Sequence, residues 1–112
     1  MRGAVCCENT AQSISEQVKL LCERLFKANG VRERDVAFLL FSVTPDLTAL
    51  NPASALRKSG FKADFPLFCC AEPNAGVCLP CTVRVLLAWY GKKRPVPVYC
   101  GGAEELRPDL FS

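Results

Sequence analysis

Three arginines, one glutamate and one tyrosine are the residues best placed by type to hold a ligand: Arg2, Arg57, Glu72, Arg84 and Tyr99. All five fall at or near the ends of expected elements, where a scaffold can present side chains to a bound molecule. Each also has an ordinary reading as a solvated charge or a structural ion pair. The second candidate is Cys78-Leu79-Pro80-Cys81, a Cys-x-x-Cys that can lower a thiol pKa for redox work or supply two zinc ligands. Zinc would need two more ligands. The chain has no His, so they would have to come from the Cys6-Cys7 or Cys69-Cys70 doublets, whose spacing is unlike that of a zinc knuckle.

The elements that must position these residues belong to one domain, residues 1–112. With 112 residues, 50% of them hydrophobic, the chain is long enough for a single core and too apolar for a disordered segment. Its net charge of +3 is spread thinly, and no Lys/Arg run interleaved with aromatics is available to follow a phosphate backbone. Nucleic acid is therefore not an expected partner. The longest apolar runs, 36–43 and 83–89, fall far short of the ~20 residues that span a bilayer. The start of the chain has no apolar signal core, so a cytoplasmic location with reduced thiols is expected.

A strand is predicted over Arg2 to Cys7, and Ser13-Ile14-Ser15-Glu16 reads as a capping box opening a helix. The helix carries an apolar stripe of Ile14, Val18, Leu21, Cys22, Leu25 and Phe26 and stops at Asn29-Gly30. Val36 to Val43 is a continuous apolar run, expected as a buried central strand. Pro52 to Lys58 is a short helix with proline at its start, and Pro66 to Cys70 a third strand. Gly76 to Tyr90 reads as a second long helix carrying Arg84, with Pro80 tolerated near its start, and Pro95 to Cys100 as a fourth strand. This order predicts an α+β fold, a mixed sheet with two long helices on one face. The other face would be left bare, and subunit association is the economical way to cover it.

Taken in order along the chain, Arg2-Gly3-Ala4, Thr44-Pro45-Asp46-Leu47, Ala49, Pro52-Ala53, Ala55, Arg57, Glu72-Pro73, Val83-Arg84-Val85 and Leu106-Arg107-Pro108-Asp109-Leu110 resemble the trimeric monofunctional chorismate mutases of bacteria. The resemblance spans nearly the whole chain, with twelve residues from Glu72 to Arg84 and fifteen from Arg84 to Tyr99. It implies a cofactor-free, metal-free [3,3] rearrangement of chorismate to prephenate on the branch toward phenylalanine and tyrosine. It further implies a homotrimer whose sheets form a barrel-like core, with active sites between subunits.

By the same resemblance Arg84 faces the ether oxygen, Arg2 and Tyr99 bind the enolpyruvyl carboxylate, and Glu72 accepts the ring hydroxyl. Phe68, Cys69, Cys70 and Ala71 line that end, while Arg57, Leu106 and Arg107 lie nearer the mouth. The sequence departs from the family at Asn51, where an aromatic is usual, at Ser54, where a basic residue is usual, and across Pro73 to Pro80. Two other functions fit parts of the sequence: a non-catalytic trimeric metabolite binder, and a thiol-redox protein using Cys78 and Cys81.

Overall fold

A computed structural model describes residues 1–76 and 78–111. Its elements are β1 (Arg2–Cys6), α1 (Ala11–Asn29), β2 (Val36–Val43), α2 (Pro52–Lys58), β3 (Leu67–Ala71), β4 (Thr82–Trp89) and β5 (Val98–Cys100), with short 3-10 turns at Glu33–Asp35, Ala103–Leu106 and Pro108–Leu110. The strands form one mixed sheet in the order β3-β2-β4-β1-β5. β4 runs antiparallel to both of its neighbours, β1 and β2, while β3 and β5 add parallel strands outside them. The α+β class, the mixed sheet and the helices on one face agree with the sequence reading.

Helix α1 buries Ile14, Val18, Leu21, Cys22 and Leu25, the stripe expected from its spacing. They pack with Val5, Leu39, Phe41, Val83, Val85 and Leu87 in the core. The cap lies three residues before the proposed Ser13. Thr10 is the cap and accepts from the Ser13 N–H at 3.0 Å, while the Ser13 hydroxyl accepts from the Glu8 N–H at 2.8 Å. Ser13 thus closes the turn leading into the helix from within its first turn. At the other end Gly30 takes the left-handed conformation at φ 60° that ends the helix, as its glycine predicts.

The largest correction falls on 76–90. The second long helix is absent: 82–89 is strand β4, the second helix of the fold is the short α2, and Val77 lies outside the described residues. Val83, Leu86, Leu87 and Tyr90 match helical spacing, but the same segment alternates Val83, Val85 and Leu87 toward the core with Arg84 and Leu86 toward the open face. Alternation is masked because Leu86 and Ala88 make the outer face apolar too. Thr82, Val83, Val85 and Trp89 are strand formers, and pairing on both edges to β1 and β2 decides in favour of the sheet.

The turn before β4 is held by residues of the Thr-Pro-Asp motif. Thr44, 2% exposed, donates its N–H to the Thr82 carbonyl at 3.1 Å and accepts the Thr82 N–H on its hydroxyl at 2.9 Å. The Asp46 carboxylate accepts from the Thr44 hydroxyl and from the Cys81 N–H at 2.9 and 3.1 Å. Cys81 has φ 49°, a left-handed conformation unusual for a side chain with a Cβ, and these bonds brace it.

Asp46 is held below its ordinary carboxyl pKa by the Thr44 hydroxyl first, against some desolvation, with the Cys81 N–H and thiol adding to the lowering. A depressed folded-state pKa gives stability that is present above the unfolded value near 4 and is lost as pH falls through the folded value. Asp46→Ala is expected to cost about 1 kcal/mol at pH 7, with the gap from the parent narrowing toward pH 3. Thermal midpoints at fixed protein concentration across that range measure it; a gap independent of pH would remove Asp46 ionisation from the account.

Candidate active site

The face of the sheet opposite the helices carries the predicted polar residues. In β-sheets residues directly opposite one another share a face, so two rows can be read from the register. One crosses the sheet as Cys70, Ser42, Arg84, Ala4 and Tyr99; the next as Phe68, Leu40, Leu86 and Arg2. β1 can approach its neighbours closely because Gly3 has no side chain; a Cβ there would lie 2.7 Å from the Val98 carbonyl oxygen. Met1 extends the pairing: its nitrogen donates to the Leu87 carbonyl at 2.7 Å and its own carbonyl accepts the Leu87 N–H at 2.9 Å.

Two clefts open on this face. The first, about 300 Å³, is lined by Arg2, Leu40, Ser42, Arg84, Leu86 and Tyr99 among others. The second, about 450 Å³, is lined by residues including Ser42, Cys70, Ala71, Glu72, Arg84 and Leu106. Ser42 and Arg84 border both, so the clefts are two ends of one groove. At the junction Arg84 Nε meets Glu72 Oε1 at 2.9 Å, and the Ser42 hydroxyl donates to the same oxygen at 2.9 Å. The strand geometry of β4 is what makes this contact, bringing together residues twelve apart in sequence. Glu72 is pinned from behind as well, its N–H donating to the Val43 carbonyl at 2.8 Å.

Arg107 lies beside Tyr99, with its guanidinium carbon 6.0 Å from the ring centroid. Two further bonds, 3.0 and 2.9 Å, tie it to Asp109. That ion pair raises the Arg107 pKa, chiefly through the hydrogen bonds, and lowers that of Asp109. Arg2, Glu72, Arg84, Tyr99, Cys70, Ala71, Leu106 and Arg107 are therefore gathered at or beside the groove.

Besides Arg107, which stands beside Tyr99, three predicted residues line neither cleft of the single chain. Arg57 is exposed on α2, across the sheet from the open face. Phe68 projects from β3 at 71% exposure, and Cys69 alternates inward to pack against the core, leaving Cys70 as the β3 thiol at the groove, where Cys78 also lies. Leu40, Leu86 and Ser42 were missed by sequence reasoning. Ser42 had a signal, being the hydroxyl inside the otherwise apolar run of β2. Of the departures, Asn51 caps α2, its side chain accepting from the N–H groups of Ala53 and Ser54.

Several of the thiols, Cys81 of the Cys-x-x-Cys among them, are held in their protonated form. Among the described residues every cysteine is free. Burial pushes the Cys22 thiol up to about 12 and, with the neighbouring Cys81 and Cys6, the Cys7 thiol up to about 11. Cys81 of the Cys-x-x-Cys is also raised, by burial first and then by Asp46, whose carboxylate accepts a hydrogen bond from the thiol at an Sγ to Oδ2 distance of 3.5 Å. A redox motif needs the opposite, a stabilised thiolate.

A family model of chorismate mutase type I matches residues 1–110. The chain belongs to this family. Among curated proteins it is 35% identical to the chorismate mutase AroH of Thermus thermophilus, over all of this chain and 95% of that protein. It is 32% identical to the AroH chorismate mutase of Bacillus subtilis, over 98% of this chain and 90% of that protein. The structure superposes on a chorismate mutase from Clostridium thermocellum with a TM-score of 0.86 and 31% identity, covering 94% of this chain and 96% of the other. Membership makes the protein an isomerase, in agreement with the resemblance read from its sequence. No helix among the described residues is long and apolar enough to cross a membrane.

Proposed function

We infer that the groove converts chorismate to prephenate by a cofactor-free [3,3] rearrangement within phenylalanine and tyrosine biosynthesis, in the cytoplasm. The observation that carries this reading is the Arg84–Glu72–Ser42 junction between two clefts, with Arg2 and Tyr99 at one end. The substrate is a flexible dianion with one ring hydroxyl, which calls for guanidinium groups and one carboxylate acceptor. No nucleophile is required. The site has to select the folded, chair-like conformer and stabilise negative charge growing on the ether oxygen as the C–O bond breaks.

Arg84 is assigned to the ether oxygen. Its ion pair runs through Nε, leaving the terminal nitrogens of the fork for the oxygen and the enolpyruvyl carboxylate. Arg2 and Tyr99 take the same carboxylate. Glu72 accepts the ring hydroxyl through Oε2, since both of its neighbours converge on Oε1. An acceleration of ~10⁶ corresponds to about 8 kcal/mol, of which a fixed cation at the developing charge supplies roughly 3 to 4.

The active unit is a homotrimer. The open face exposes Phe38, Phe68 and Leu86 at 43%, 71% and 41%, an apolar surface that a second sheet would cover. Association also gives Arg57 and Phe68, which line neither cleft within one chain, a route to the groove of a neighbouring subunit. Loss of chorismate absorbance, followed with purified protein beside light scattering, tests the reading. Turnover by a trimer, unchanged by chelator or reductant, is expected; a folded trimer that binds chorismate without converting it would make the protein a metabolite-binding module.

A further inference from the structure

We propose that Ser42 is a positioning residue for the rearrangement, holding the Glu72 carboxylate in the one orientation that presents its second oxygen to the substrate's ring hydroxyl. The inference rests on the mutase reading of the groove and extends it to a residue on the central strands. Ser42 interrupts the open-face series of β2, in which Phe38 and Leu40 are apolar, at the position directly opposite Arg84 on β4 and Cys70 on β3. Its hydroxyl donates to Glu72 Oε1 at 2.9 Å, the oxygen that also takes Arg84 Nε at 2.9 Å.

Two donors on one oxygen do what one cannot. An ion pair alone lets a carboxylate turn about its last torsion and exchange oxygens, because a guanidinium binds either with little geometric preference when only Nε is engaged. A second donor rising from the strand beneath fixes which oxygen faces inward. The Glu72 N–H to Val43 carbonyl bond anchors the backbone, so the Ser42 bond removes the principal remaining rotation. Glu72 is also largely enclosed, its side chain 15% exposed against 48% for Arg84, so water is a poor substitute for the lost hydroxyl.

The test is a double-mutant cycle. Ser42→Ala is expected to lower kcat/KM for chorismate on the order of tenfold, as one hydrogen bond to a charged group would. In a Glu72→Ala background the same change should cost less than about twofold, since nothing remains for Ser42 to position. Ser42→Thr keeps the hydroxyl on a strand-compatible residue and should restore activity to within about threefold of the parent. Equal losses in both backgrounds, or no loss in Ser42→Ala, would overturn the proposal. Chorismate affinity by calorimetry is read in the same four proteins. If the parent bound chorismate without turning it over, the mutase reading would fail, and the affinities alone would still show or refute the Ser42–Glu72 coupling.

Discussion

Replacing Arg84 by alanine is expected to reduce kcat on the order of 10³-fold while leaving the fold intact. The guanidinium sits on β4, paired through β2 and β1 on both sides, so its backbone position does not depend on its side chain. On the proposed reading, the substitution removes a fixed cation at the point where negative charge grows, an interaction stronger in the transition state than in the ground state. The stability cost is small by comparison. Arg84 is 48% exposed, its pair with Glu72 is worth about 1 kcal/mol or less, and Ser42 still donates to the carboxylate left behind.

Arg84→Lys separates charge from shape. The ammonium keeps the charge but cannot hold Glu72 through one nitrogen while offering two others to the substrate, so kcat should fall much further than thermal stability does. Steady-state kinetics and melting curves on both variants measure this. Unchanged kcat in Arg84→Lys would show that charge alone acts there; unchanged kcat in Arg84→Ala would remove Arg84 from the chemistry. Chorismate binding largely retained by an inactive Arg84→Ala protein is the signature expected of a transition-state contact.

The second large effect is expected at Phe38, on the same sheet face but outside both clefts. Phe38 pairs with Ala88, and 43% of its surface is open to solvent in the single chain. Phe38→Asp would place an unpaired carboxylate on the apolar face, at a desolvation cost of several kcal/mol for every copy buried. The proposed trimer should dissociate at micromolar concentration and turnover fall by roughly 10² or more, with circular dichroism unchanged because the helix-side core is untouched. Light scattering with activity across a dilution series checks it. A fully active monomer would show that one chain holds a complete site.

Much of this was legible along the chain. The stripe of α1 and the punctuation of α2 by Pro52 and Gly60 are local, set by spacing and backbone preference within a few residues. The apolar run of β2 is equally plain, although only one of its faces is covered. Arg2, Glu72, Arg84 and Tyr99 could be picked out because their types and order match a known family.

Position across the sheet was not legible. Thr82 to Trp89 carries Leu86 and Ala88 on its outer face beside Arg84, so its period is ambiguous, and hydrogen bonding to two neighbouring strands decides what local preference leaves open. That decision moves Arg84 from a helix onto the row containing Ser42 and Tyr99 and puts it in contact with Glu72. It also turns Cys69 inward and Cys70 outward, a one-residue difference in register that no composition records. The sequence by itself determined which chemical groups the protein owns and its α+β class. Tertiary structure alone decided which of those groups meet, because strand pairing joins residues far apart in the chain through backbone bonds that are nearly blind to side-chain identity.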